Sequence, residues 1–117
     1  MFLLENSRHY TDTIYLGGYA VECALKCLIF ERTAKEKHRA LSEDLGSGSL
    51  SHNFDYLAHR LRSIDVAIPT NIQKSLLVLT EQWSTDLRYS GALISRSLAR
   101  TFIDHVQTVV EWIQRSR

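Results

Sequence analysis

Glu22 and Lys26 stand inside the longest apolar stretch of this chain, which runs from Ile14 to Phe30. That combination restricts the fold more than any other feature. A lipid-spanning segment would carry two charges into hydrocarbon, whereas a helix of a soluble bundle buries one stripe and pairs its charges, so no membrane is expected. Ile14, Val21, Leu25, Leu28 and Ile29 fall largely three or four residues apart, the period of a helix with one covered face. With Ser7 as N-cap, the first helix is expected from Ser7 to Thr33, about 40 Å long.

The same period recurs in Phe54, Leu57, Leu61 and Ile64, in Ile72, Leu76, Leu79 and Trp83, and in Leu98, Phe102, Val106, Val109 and Ile113. It predicts helices over 51–64, 70–87 and 93–113, with Pro69-Thr70 restarting the chain and Ser90-Gly91 breaking it. Glu31 to Asp44 is densely charged and reads as loop-like, and Gly46-Ser47-Gly48-Ser49 follows as a flexible connection. One Pro, no Asn-Gly or Asp-Gly and almost no strict alternation exclude a sheet. A length of 117 residues implies one domain, residues 1–117. The expectation is an all-α, up-and-down bundle of four to five helices with its long rods antiparallel.

Gly17 and Gly18 cost about 1 kcal/mol each in a helix interior, so close packing must offset them. With Ala20, Ala24 and Cys27 they form a stripe of small residues that admits another helix, within the bundle or across a dimer. The length of the first helix favours a homodimer whose face is built from the two long helices.

A net charge of +1 excludes a polyelectrolyte that binds nucleic acid by charge alone. Cys23 and Cys27 share one helical face. They are either a redox pair, half a metal site, or two reduced core residues. The last reading is preferred because free Cys is usually buried, and it points to the cytoplasm. No His pairs with a carboxylate or Cys at metal-ligand spacing, and no Gly-rich phosphate loop is present, so neither metal nor cofactor is expected.

Four segments carry a resemblance. They are Tyr15-Leu16-Gly17-Gly18-Tyr19-Ala20-Val21-Glu22-Cys23-Ala24-Leu25-Lys26, His52-Asn53-Phe54-Asp55-Tyr56-Leu57, Trp83-Ser84-Thr85-Asp86-Leu87-Arg88-Tyr89, and the apolar helix from Leu98 to Ile113. In this order they resemble the HEPN family of small helical domains. The resemblance implies a four- or five-helix bundle that dimerises. It also implies a role beside nucleotides or RNA, as a ribonuclease toxin or as the partner of a nucleotidyltransferase-like antitoxin. Toxic members cut RNA without metal, through an Arg and a His about four to six residues apart, with both subunits contributing to one cleft.

Metal-free cleavage needs a base for the 2′-hydroxyl proton, an acid for the leaving 5′-oxygen and a cation for the phosphate, work suited to His and Arg. Arg100 and His105 have the family spacing, and so do Arg32 and His38. Toxic members typically carry Asn, Asp or His after the Arg and often a Tyr two after the His, where this chain has Thr101 and Gln107. On a continuous helix His105 is turned about 140° from Arg100, which lines up with Arg96 and Asp104 instead. An Arg100–Asp104 surface ion pair and a half-buried His105 are the competing reading.

Arg88 and Tyr89 at a helix end offer an alternative site, one for phosphate and the other for stacking, against the plainer roles of capping and packing. From Arg88 onward five Arg face two acids, the clearest basic concentration in the chain, so Arg88, Tyr89 and Arg96 are the preferred contacts for nucleotide, RNA or a protein partner. Glu22 and Lys26 have the favourable i, i+4 orientation, either as a partly buried structural pair or as a proton-transfer pair. His52 reads as an N-terminal polar residue, His59 as packed, and His9 and His38 as exposed. The preferred function is a dimeric binding domain. The alternatives are a metal-independent ribonuclease toxin using Arg100 and His105, and a non-catalytic dimerisation module.

Overall fold

A computed structural model describes residues 10–46, 53–83 and 96–117. Within them the chain is all helical: α1 (Tyr10–Glu31), a short 3-10 turn (Lys35–Lys37), α2 (His38–Gly46), α3 (Phe54–Ser63), α4 (Thr70–Gln82) and α5 (Arg96–Ser116). The expected Ser7 cap, the loop over 47–49 and the Ser90-Gly91 break lie outside the described residues.

α1 forms as its period dictates. Ile14, Val21, Leu25, Leu28 and Ile29 are at most 1% exposed and build the centre of the core. Each such side chain contributes about 1.5–3 kcal/mol by leaving water. The segment Asp12–Glu31 is long and apolar enough to cross a bilayer, yet half of it is covered by the other helices.

The charged stretch after α1 is helical, not loop-like. Leu41 and Leu45 stand one turn apart among the charges and both are buried, which anchors α2. His38 is half-buried rather than exposed, because its Nε2 meets the carbonyls of Phe30 at 2.8 Å and Thr33 at 2.9 Å and closes the end of α1.

α3 starts where Asn53 Oδ1 accepts from the Tyr56 amide at 3.2 Å. It ends on Asp65, whose φ of 65° places it in the left-handed region. The amides of Asp65 and Val66 donate back to the carbonyls of Arg62 and Leu61, and Val66 is buried beneath the turn. α4 begins after Pro69, which sets the entry angle, and stops at Trp83. α5 buries Ala99, Phe102, Val106, Val109, Trp112 and Ile113, a near-continuous three-four repeat.

The two long rods are parallel, not antiparallel. Gly17 faces Phe102, Ile103 and Val106, while Glu31 and Arg32 meet Arg117 and Ser116 at the other end. α1 and α5 thus point the same way.

The glycines are used inside the bundle. A Cβ on Gly17 would lie 3.1–3.3 Å from α5 side chains, and one on Gly18 would lie 2.1 Å from the Trp83 ring. Trp83 stacks on Phe54, with ring centroids 5.0 Å apart, and its Nε1 donates to the Tyr15 carbonyl at 3.1 Å. Cys23 and Cys27 are exposed, contrary to the core placement expected for them. Each is two residues from Leu25 and hence turned about 200° from it, onto the opposite face. His59 is exposed for the same reason, two residues from both Leu57 and Leu61.

Candidate functional site

The core repeat of α5 leaves Arg96, Arg100 and Asp104 one turn apart on its outer side, all three exposed. The expected Arg100–Asp104 ion pair is not formed, and neither arginine has an ion-pair partner among the described residues. An exposed i, i+4 pair gains only a few tenths of a kcal/mol and two long side chains lose rotamer freedom in making it, so its absence is physically ordinary. The guanidinium forks are left with their donors open to solvent.

His105 lies on the flank of α5 that meets α4. It is half-buried, and its Nδ1 is 2.9 Å from Ser75 Oγ. Ser75 is 5% exposed. Nε2 of His105 has no partner among the described residues. Arg100 and His105 therefore occupy different sides of one helix in a single subunit, as the helical angle requires. Ser75 escaped the reading of the sequence. Its signal is a polar residue set in the apolar face of Ile72, Leu76 and Leu79.

The other pair with the same spacing serves the fold. Arg32 Nη2 donates to the Ser116 carbonyl, and His38 closes the end of α1 as described above. Arg88 and Tyr89 lie outside the described residues.

Glu22 is 4% exposed on the core side of α1, seven residues from Ile29, and Lys26 Nζ donates to its Oε2 at 2.9 Å. The Lys26 side chain is 20% exposed, so water reaches one member of the pair. At the far end of the long helices Arg117 donates to Glu31 through both Nε and Nη2. This contact holds the Glu31 carboxyl below the usual carboxylate range and raises the Arg117 guanidinium.

Between α1 and α5 a groove of about 560 Å³ is lined by Leu16, Gly17, Ala20, Ile103, Val106 and Val110, with Thr13 and Gln107 at its polar edge. Leu16 stands 56% exposed beside it. Among the described residues no three His, Cys, Asp or Glu side chains gather at a metal-sized site.

The family model for the HEPN domain matches residues 1–116. No curated protein and no solved structure matches the chain.

Proposed function

The chain belongs to the HEPN domain family, which ties it in general to nucleotide- or RNA-related work, and we propose that it engages the phosphates of RNA or a nucleotide through Arg96 and Arg100. The observation that supports this reading is the pair of exposed guanidiniums, one turn apart on α5 and unmatched by any carboxylate among the described residues, Asp104 included. Each fork presents planar donors suited to phosphate oxygens, and two forks along one stripe follow a strand's backbone.

A second copy of the chain completes the domain in this reading. The apolar groove between α1 and α5 and the exposed Leu16 support a homodimer along the long helices. An acidic, nucleotidyltransferase-like protein would meet the same arginine stripe.

Fluorescence anisotropy with a labelled single-stranded RNA tests the proposal. Arg96→Glu with Arg100→Glu should abolish most binding. The wild-type log K against log[salt] should be steeper by about 1.4, since each phosphate contact on a single strand adds roughly 0.7. Arg115→Glu with Lys35→Glu, a change of equal charge away from the stripe, should have a smaller effect. Equal losses from both changes would show only a diffuse attraction.

A second reading, a metal-independent ribonuclease, draws support from His105, which Ser75 tethers through one ring nitrogen. Arg100 of one subunit would then face His105 of another across a two-fold axis. Cleavage in EDTA by the wild type and not by His105→Ala supports it, and equal cleavage by both removes it.

A further inference from the structure

Serine and threonine inside a helix ordinarily turn back to the carbonyl four residues earlier, as Thr80 does to Leu76 and Thr108 to Asp104. Ser75 instead reaches across to another helix. It is buried between α4 and α5, where a hydroxyl needs a partner, and the partner it has is His105 Nδ1 at 2.9 Å. The contact joins residues 30 apart in sequence and holds the imidazole from one side only.

We propose that Ser75 is a positioning residue for His105: its Oγ accepts a hydrogen bond from Nδ1–H and so presents Nε2 as the atom that receives the 2′-hydroxyl proton in RNA cleavage. The proposal rests on the ribonuclease reading. A neutral imidazole has one donor and one acceptor nitrogen, and a hydroxyl can serve either. If Ser75 donated to Nδ1, Nε2 would already carry the ring proton and could accept none. If Nδ1–H donates to Ser75, Nε2 holds a lone pair. The same hydrogen bond then survives protonation of the ring, because both nitrogens of the imidazolium are donors. The step balances without any co-reactant. Nε2 takes the 2′-hydroxyl proton, O2′ bonds to phosphorus, the P–O5′ bond breaks, and Nε2 returns the proton to O5′. The products are a 2′,3′-cyclic phosphate and a 5′-hydroxyl.

The decisive spectrum needs no variant. In protein labelled with 15N-histidine, the long-range proton–nitrogen correlations should show neutral His105 as the Nδ1–H tautomer. Ser75→Ala should release it, and Ser75→Thr, which keeps the hydroxyl, should retain it. In an EDTA cleavage assay Ser75→Ala should lower kcat roughly tenfold with KM unchanged, and Ser75→Thr should restore most of the rate. An Nε2–H tautomer in the wild type overturns the proposal. Undiminished cleavage by Ser75→Ala alongside an inactive His105→Ala also overturns it, while leaving the ribonuclease reading in place. Undiminished cleavage by His105→Ala overturns both.

Discussion

The indole of Trp83 occupies the volume that a side chain on Gly18 would fill, so closely that a Cβ there would sit 2.1 Å from the ring. The ring is held on its other sides by Phe54 and by Tyr15 and Tyr19. One missing methyl group in α1 thus joins the end of α4 and the start of α3 to the first helix. The helical cost of the glycine is offset by burial of an aromatic ring.

Gly18→Ala should consequently destabilise the domain by about 1–3 kcal/mol, the usual range for overpacking, despite alanine's better helix propensity. Gly17→Ala meets side-chain ends at 3.1–3.3 Å, which shift more easily, and should be close to neutral. Denaturant melts of the two variants would reveal the order. Tryptophan emission should change only in the first, since Trp83 must move.

Lys26→Met would leave the Glu22 carboxylate buried without its ammonium. Breaking a fully buried pair costs about 3–5 kcal/mol, and solvent access to Lys26 should bring the loss down to roughly 2 kcal/mol. A urea midpoint equal to that of the wild type would mean that Glu22 is held well enough by its other contacts.

Asp65 closes α3 in a conformation that suits glycine. Asp65→Gly should stabilise the protein by up to about 1 kcal/mol, because the left-handed penalty of an L-residue exceeds the extra chain entropy of glycine. Thermal unfolding should move up by a few degrees, and a fall would contradict this account of the turn.

The Glu31–Arg117 contact sets a pH dependence with a definite sign. Because the folded carboxyl lies below its ordinary value of 4.5, the contact contributes above that value. Its contribution is lost as pH falls through the lower folded value. The melting temperatures of the wild type and Arg117→Ala should therefore differ most near neutrality and converge in acid. Both groups are solvent-exposed, so added salt should also narrow the gap.

Much of the molecule could be read from residue order. The three-four spacing of Ile14, Val21, Leu25 and Leu28, and of Phe102, Val106, Val109 and Ile113, marks the helices and their inward faces. Periodicity is a local property, so it survives without knowledge of neighbours. The same spacing shows on inspection that Cys23 and Cys27 oppose Leu25, although the general habit of cysteine suggested burial. The family match over residues 1–116 agrees with the resemblance carried by the run around Gly17, Gly18 and Glu22. Leu41 and Leu45 were harder to see, because a stripe of two apolar residues in a short helix is masked by charges on every side.

The sequence by itself determined that this chain is helical, where its long helices run and which face of each is apolar, since those follow from a 3.6-residue period within one segment. Tertiary structure alone decided that α1 and α5 are parallel, that Trp83 enters the gap at Gly18, and that Ser75 meets His105. Those facts depend on which flank of a helix a distant segment covers, and that is settled by the joint packing of the helices.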